Sequence, residues 1–236
     1  MITVLTLTYQ RHFILEEAIE SYLRQNFEEK SEMLIINDSP KVEYVYEHPK
    51  IRIINLKKRF PSVGQKLKFG FSKCKYDNIF RLDDDDLLAP DALNNTWDDI
   101  QKHPDYEIYR SDGHYFFEHN KYKGISGSVN NGNVYTKKYL SRIEIPNKSF
   151  GEDCAMTFDF NAKIYVSNRK QKTMIYRWGM STYHISGMGD ISSDDMKDWT
   201  DKIVDSVAKE RKTSPEEGKL VLNPHFDEEY YEQIAD

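Results

Sequence analysis

The sequence predicts an α/β fold in which helices cover both faces of a mostly parallel sheet. In the first hundred residues, β-rich runs alternate with segments whose apolar residues recur at helical spacing. The order is strand, helix, strand, strand, helix, strand, helix, which is typical of this fold class. The length of 236 residues suits one such domain followed by an appendage.

Each element of the first half has a local signal. Apolar β-branched and aromatic runs predict four strands, over residues 2–8, 33–36, 51–56 and 78–82. Apolar residues at helical spacing predict a helix over 15–23 and a short one around 67–74. A third helix follows Pro90, a residue suited to a first helical turn, with Leu93, Trp97 and Ile100 on one face.

The pattern changes after residue 105. Short strands are predicted over 106–110, 114–118, 163–167 and 173–178, and a helix is predicted to begin near Glu152. A charged stretch over 192–211 is predicted to be helical, and Pro215 and Pro224 interrupt the tail beyond it. We therefore expect one domain over 1–190, with halves 1–104 and 105–190, and a C-terminal extension over 191–236.

Composition excludes several classes of protein. The net charge of −6 disfavours a basic nucleic-acid binder, and 13% aromatic residues supply a core despite a mean hydropathy of −0.74. The longest aliphatic run, 33–36, is too short to span a bilayer, and the N-terminus lacks the basic region of a signal peptide. Two cysteines make no disulfide framework or zinc cluster. We expect a cytoplasmic protein, soluble or peripheral at a membrane surface, and the Lys/Asn-rich composition suggests an A·T-rich viral or bacterial genome.

Polar residues follow three of the predicted strands at the point where each strand ends. They are Thr8-Tyr9-Gln10-Arg11, Asn37-Asp38-Ser39 and the run Asp83-Asp84-Asp85-Asp86. Sheets of this class bind ligands outside the carboxyl ends of their strands. The sequence therefore predicts that the three segments meet in a single site.

The aspartate run has the chemistry of a metal site. In extended backbone Asp83 and Asp85 point to one side, and Asp84 and Asp86 point to the other side as supports. Adjacent carboxylates repel one another, and a divalent cation such as Mg²⁺ or Mn²⁺ offsets that charge. The alternative is a solvated acidic loop. The apolar residues that flank the run on both sides, 79–82 and 87–90, favour the metal site.

These segments resemble those of family 2 glycosyltransferases. Residues 82–90 resemble the family's DxD segment, which commonly runs Leu-Asp-x-Asp-Asp, three residues, then Pro. Residues 8–11 resemble its Thr-Tyr-Asn-Arg-like turn, 36–39 keep the second Asp of its Asp-Asp-Gly/Ser, and 151–153 resemble its Glu-Asp motif. The match to its Gly-x-x-x-Ala-Arg-Asn-x-Gly helix at 64–70 is loose. The resemblance spans about residues 1–190 and implies a GT-A, Rossmann-like fold, here with a C-terminal helical extension.

The resemblance implies a metal-dependent, inverting transfer of a sugar from a nucleoside diphosphate donor, expected to be UDP-linked, to a hydroxyl acceptor. That acceptor is a glycan, a lipid-linked group, a protein or a modified base. Asp85 would bind Mn²⁺ or Mg²⁺, and Asp83 would share the metal or hold the ribose. Asp84 would support the donor site. His184 would add a metal or phosphate contact, although a lone His is more often a surface or capping residue.

The resemblance also implies the nucleotide contacts. Asp38 would bind the uracil edge, with an Asx-turn as the alternative reading. Three residues after the first strand would contact the nucleotide through backbone, ring stacking and charge: Thr8, Tyr9 and Arg11. Lys66 would contact the diphosphate, in competition with its neighbour Lys68.

Asp153, with Glu152 beside it, is the expected general base, because an acceptor hydroxyl needs a carboxylate within hydrogen-bond reach. The competing role for both is to stabilise a helix start. Tyr176 and Trp178 are either an acceptor platform or core residues. Two other functions are considered, a nucleotidyltransferase and a non-catalytic nucleotide- or sugar-binding module. The first is disfavoured because no Gly-rich phosphate loop follows the first strand.

Overall fold

The computed structural model describes residues 1–127, 131–149, 151–157, 161–178, 202, 204–205, 208–209 and 211–235. Its helices are α1 (His12–Leu23), α2 (Val63–Lys73), α3 (Ala92–Lys102), α4 (Lys137–Leu140) and α5 (Glu152–Thr157), with a 3₁₀ helix over Glu232–Ile234. Its strands are β1 (Ile2–Thr8), β2 (Ser31–Asn37), β3 (Val42–Val45), β4 (Ile51–Asn55), β5 (Asn78–Arg81), β6 (Leu87–Leu88), β7 (Ile108–Ser111), β8 (Gly113–Glu118), β9 (Lys121–Gly127), β10 (Val134–Thr136), β11 (Ile164–Ser167), β12 (Met174–Trp178) and β13 (Gly218–Val221).

A seven-stranded sheet of order β11-β7-β10-β5-β1-β2-β4 forms the centre of the molecule. Strands β4, β2, β1 and β5 are parallel, and β11 is parallel to β7. Strand β10 alone among these seven runs antiparallel to its neighbours. The predicted α/β fold with a mostly parallel sheet is confirmed.

Helices pack on both faces of this sheet because the central strands are apolar on both sides. Val4 of β1 belongs to a core cluster with Leu15 and Ile19 of α1. The next residue, Leu5, belongs to a second cluster with Leu67 and other residues of α2. Alternate side chains of a strand point to opposite faces, so one strand supplies both cores.

Five strands have no clear signal in the sequence. Two of them, β6 and β9, join the predicted strands β8 and β12 in a second sheet of order β6-β12-β8-β9. Strand β6 has two residues and strand β10 has three, too few to show a period. Among the described strands, β3 pairs with β13 alone, in parallel, so each of the two depends on the other.

The C-terminal segment packs onto the domain. The helix predicted over 192–211 lies mostly outside the described residues. Beyond it, β13 adds to β3, and Tyr230 is fully buried against the second sheet, where its ring contacts Phe117. Among the described residues, no helix has both the length and the apolar character needed to cross a bilayer.

Candidate functional site

The three polar segments meet at one edge of the central sheet, as predicted. Thr8, the last residue of β1, pairs with Asn37, the last residue of β2. Leu5 pairs with Arg81 at the end of β5, and Leu82 continues the ladder by donating to the Leu5 carbonyl at 3.0 Å. Residues 9–11, 38–39 and 83–86 therefore leave the sheet side by side.

Asp83, Asp85 and Asp86 form a carboxylate cluster in which the ligand oxygens lie within 4.8 Å of one another. The predicted alternation placed Asp86 on the opposite side, and this was wrong. The reason is that the chain turns instead of staying extended: the Asp86 amide donates to the Asp83 carbonyl at 3.1 Å. The turn brings Asp86 round to the other two, whereas the Asp84 carboxylate binds Arg11.

The donor set of this cluster fits a small divalent cation. Carboxylate oxygens are the hard ligands that Mg²⁺ and Mn²⁺ prefer, and their mutual spacing suits a shared ion. The side chains of Asp83 and Asp85 are 35% and 16% exposed, so one side of the cluster is open to solvent. Asp86 is buried, and burial together with the charges of Asp85 and Asp83 raises its pKa well above the usual range.

Two arginines hold the aspartate run in place. Arg11 donates from Nε to Asp84 Oδ2 at 3.1 Å and from Nη1 to Asp85 Oδ2 at 3.2 Å. Burial raises the pKa of Asp84 to about 6, although Arg11 acts to lower it. Arg177 donates from its amide to Asp86 Oδ1 at 3.0 Å and from Nε to the Asp85 carbonyl at 2.6 Å. The sequence predicts a nucleotide contact for Arg11, and no pattern in it points to a role for Arg177.

Asp38 and Lys66 form a buried ion pair at the end of β2. Lys66 Nζ lies 2.5 Å from Asp38 Oδ1 and donates to the Thr8 carbonyl at 2.7 Å. Asp38 Oδ2 accepts from the Phe60 amide at 2.9 Å. The charges attract, yet burial is the larger effect and lowers the pKa of Lys66. Of the two lysines considered for this site, Lys66 is buried here, whereas Lys68 is exposed.

The Asx-turn given as the alternative interpretation of Asp38 is not what this side chain makes. The turn is made one residue earlier, where the Asn37 side-chain oxygen accepts from the Ser39 amide at 3.0 Å. Asn37 also donates to the Val42 carbonyl, so its side chain shapes the loop. The Asp38 carboxylate is thereby left to face Lys66 and the site.

An aromatic and cationic pair lies at the same edge. The Arg59 guanidinium stands 4.1 Å from the centre of the Tyr9 ring, a cation–π contact. Arg59 directly precedes Phe60, whose amide binds Asp38. Sequence analysis missed Arg59 because it lies in a loop with no periodic pattern.

Glu152 is connected to the aspartate run through Arg81. Arg81 Nη2 lies 3.3 Å from Glu152 Oε1 and 3.4 Å from Asp83 Oδ1. Glu152 is buried, and burial raises its pKa, with Arg81 acting in the opposite direction. Asp153 is half-buried, its Oδ1 accepts from the Cys154 amide at 2.7 Å, and its charge acts on both Arg81 and Asp83.

Tyr176 and Trp178, the two aromatic residues considered for an acceptor platform, lie in different environments. Tyr176 packs against the core and stacks on Phe116, with ring centres 6.3 Å apart, which favours the core interpretation. Trp178 at the end of the same strand is 37% exposed. His184 lies outside the described residues.

Solved structures of similar fold include those of two proteins. S. aureus TarS 1-349 in complex with UDP-GlcNAc is 13% identical, with a TM-score of 0.63 over 88% of this chain and 66% of that chain. A mannosyltransferase, PcManGT from Pyrobaculum calidifontis, in complex with GDP-Man and Mn²⁺, is 13% identical, with a TM-score of 0.58 over 78% of this chain and 58% of that chain.

The chain is shorter than these relatives. It covers 65% of TarS 1-349 and 39% of the longer TarS chain. No curated protein sequence matches it. The profile of glycosyl transferase family 2, however, matches residues 3–163, more than half of the chain and all three segments of the site. The protein therefore belongs to glycosyl transferase family 2.

Proposed function

We propose that the protein is a metal-dependent, inverting glycosyltransferase that moves a sugar from a UDP-linked donor to an acceptor hydroxyl. The observation that carries the proposal is the cluster of Asp83, Asp85 and Asp86 at the sheet edge that also holds Tyr9 and Asp38. The nucleotide sugars bound to TarS and PcManGT, and the Mn²⁺ of PcManGT, support the same class of ligand.

The nucleotide would lie over the ends of β1 and β2. Tyr9 offers a ring for the base to stack on, beside the Arg59 guanidinium. Lys66 and the Phe60 amide each bind one oxygen of Asp38 and so fix the plane of its carboxylate. A carboxylate accepts about four hydrogen bonds, so Asp38 retains capacity for the N–H group of uracil.

The diphosphate would lie over the aspartate run. Asp83, Asp85 and Asp86 would hold Mn²⁺ or Mg²⁺, and Asp83 would share the ion or hold the ribose. When bound, the ion neutralises the charge that develops on the diphosphate leaving group. Arg11 binds the Asp85 carboxylate, and Arg177 binds the Asp86 carboxylate and the Asp85 carbonyl, so the two arginines help to orient the run.

Asp153 would act as general base. The acceptor oxygen attacks the anomeric carbon from the face opposite the diphosphate, its proton passes to Asp153, and the bond to the diphosphate breaks. One base suffices for this inverting geometry, since no covalent intermediate forms. Glu152, tied to Arg81, anchors the start of α5 and so holds Asp153 beside the site.

Calorimetric titration with UDP, with and without Mn²⁺, tests the donor site. We expect UDP binding that depends on Mn²⁺ in the wild type and in the control Asp77→Ala, whose side chain is 89% exposed. Asp85→Ala should abolish the metal-dependent part. GDP is titrated in parallel because PcManGT carries GDP-Man. If neither nucleotide binds under any condition, the proposed donor site is wrong.

Replacement of Asp153 separates an enzyme from a binding module. Asp153→Asn should lower the hydrolysis of UDP-sugars by about 10²–10⁴-fold, the usual contribution of a general base, and leave UDP affinity unchanged. Cys154→Ser, a change to the exposed neighbouring side chain, is the control. Equal turnover in Asp153→Asn and the wild type would exclude Asp153 as the base.

A further inference from the structure

The C-terminal segment packs against α1 and contacts Arg177, which binds the aspartate run. We define residues 216–231 as the C-terminal strap. Strand β13 within it pairs in parallel with β3, and the Asn223 amide then donates to Glu16 Oε1 on α1 at 2.7 Å. Four residues further along the strap, the Asp227 amide donates to Glu17 Oε1 at 3.1 Å. The strap is therefore bonded to the helix that carries Arg11 at its start.

Glu216 is the first point of attachment. Its Oε1 accepts from the His12 amide at 2.9 Å and from His12 Nδ1 at 2.7 Å. Its Oε2 accepts from the Tyr44 hydroxyl, which in turn accepts from the Arg11 amide at 3.1 Å. Helix α1 has no side-chain cap of its own at Arg11, so this carboxylate from the strap supplies the missing acceptor.

Tyr230 is the second point of attachment. Arg177 Nη1 donates to the Tyr230 hydroxyl at 3.1 Å and also binds Glu17 Oε2, while the guanidinium stands 5.4 Å from the Tyr230 ring centre. Both the Arg177 and the Tyr230 side chains are fully buried or nearly so. A buried guanidinium needs every such partner, because an unpaired buried charge is costly.

Each attachment is connected to an arginine that binds the aspartate run, Arg11 in one case and Arg177 in the other. Glu216 is connected through the Tyr44 hydroxyl to Arg11, whose side chain binds Asp84 and Asp85. Tyr230 binds Arg177, which in turn donates to the Asp85 carbonyl and the Asp86 carboxylate. We propose that the strap sets the metal affinity of the run, with Glu216 and Tyr230 as positioning residues that act through these two arginines. The inference rests on the proposed function, because it assumes that the run binds Mn²⁺.

The physical reason is preorganisation. Like-charged carboxylates repel one another and move apart unless neighbouring groups hold them. Without such groups, part of the free energy of metal binding is used to bring the carboxylates together. Groups that orient the metal ligands from behind typically change metal affinity by about 10–100-fold when they are removed. The strap supplies such groups from the opposite end of the chain.

The test is the affinity of the full chain for Mn²⁺ with saturating UDP present, measured from the electron paramagnetic resonance signal of free Mn²⁺ and corrected by the same titration of UDP without protein, because UDP itself binds Mn²⁺. Glu216→Gln and Tyr230→Phe are expected to bind Mn²⁺ about 10–100-fold more weakly than the wild type. Two neighbours in the strap give matched controls that should not change the affinity. Glu217→Gln alters a carboxylate that is 69% exposed, and Tyr231→Phe removes a hydroxyl that bonds to the Leu88 carbonyl. Urea unfolding of each variant shows that the comparison is made on folded protein.

The outcomes separate the two proposals. A wild type that binds no Mn²⁺ overturns the proposed function. A wild type that binds Mn²⁺, with Glu216→Gln and Tyr230→Phe binding equally tightly, overturns the role of the strap alone. Equal weakening in the control variants also overturns it, since the strap would then act only through general stability. Weakening confined to Glu216→Gln and Tyr230→Phe supports the inference, and either variant suffices if the other does not fold.

Discussion

Arg81 Nη2 lies 3.3 Å from Glu152 Oε1, and both side chains are only 6% exposed. The same nitrogen lies 3.4 Å from Asp83 Oδ1. One buried guanidinium therefore connects β5, the aspartate run and the start of α5. Among the described residues, Arg81 is the cation that forms an ion pair with Glu152, so it is the main source of charge compensation for that carboxylate.

Loss of Arg81 should destabilise the protein. Arg81→Met leaves the buried Glu152 carboxylate without its cation, and breaking a buried ion pair in this way typically costs about 3–5 kcal/mol. Urea unfolding measures the change in free energy of unfolding. The double variant Arg81→Met/Glu152→Gln should recover part of the loss, because it removes the unpaired charge. A single variant as stable as the wild type would contradict this account.

Substitution of Gly64 should also destabilise the fold, for a steric reason. A Cβ atom at Gly64 would lie 1.9 Å from the Pro146 carbonyl oxygen, and the Gly64 amide already donates to the Lys148 carbonyl. We expect Gly64→Ala to cost about 1–3 kcal/mol, the usual range for overpacking. Gly127→Ala is the control, since nothing lies within 4 Å of its added Cβ. Equal stability of the two variants would show that the α2 start is not tightly packed there.

Stability should depend on the protonation of His12. The hydrogen bond to Glu216 raises the His12 pKa, burial lowers it, the charges of Glu216 and Glu16 raise it, and that of Arg211 lowers it. Because the folded pKa is above the unfolded value of about 6.5, this stabilisation is complete below that value and is lost as pH rises through the folded pKa.

The measurement is the melting temperature of the wild type and of His12→Gln at a pH of about 5.5 and about 8.5, on either side of the ordinary His pKa. The advantage of the wild type over His12→Gln should shrink as the pH rises. An advantage that stays constant, or grows, would mean that the His12–Glu216 contact does not titrate in this range.

The two cysteines should react at very different rates. Cys74 is buried and burial raises its pKa to about 12, so little of the reactive thiolate forms. Cys154 is exposed. A chromogenic thiol reagent should therefore titrate one thiol rapidly in the native protein and both in denaturant. Native Cys154→Ser should show no rapid reaction, and a rapid reaction in that variant would place Cys74 nearer the surface than the structure does.

The first half of the fold was predictable because its strands are apolar on both faces and end in polar residues. Such a strand gives a continuous signal, as in β1 and β2, and the register of parallel strands then brings their ends together. The same reasoning placed Asp38 and the aspartate run at one edge. It failed at Asp86, because the alternation of side chains holds only while the backbone stays extended.

The residues that were missed act through long-range contacts. Arg177 reads as an ordinary strand residue, and only the fold shows that it binds the aspartate run and Tyr230. Strand β13 lies in a short, mostly exposed segment, and it forms because β3 offers an edge. A local sequence pattern does not predict these contacts, because each one joins two segments that are far apart in the sequence.

Strand β10 joins the two halves of the chain in one sheet, so the protein cannot be divided between them without exposing a strand edge. It lies between β5 and β7 and bonds to both, so the central sheet continues from the first hundred residues into the second half of the chain. A fragment that stopped at residue 104 would leave the β5 edge with a row of unpaired backbone donors and acceptors, and edges of that kind recruit other chains. We expect such a fragment to aggregate when it is expressed alone and to be rescued by co-expression with the remainder.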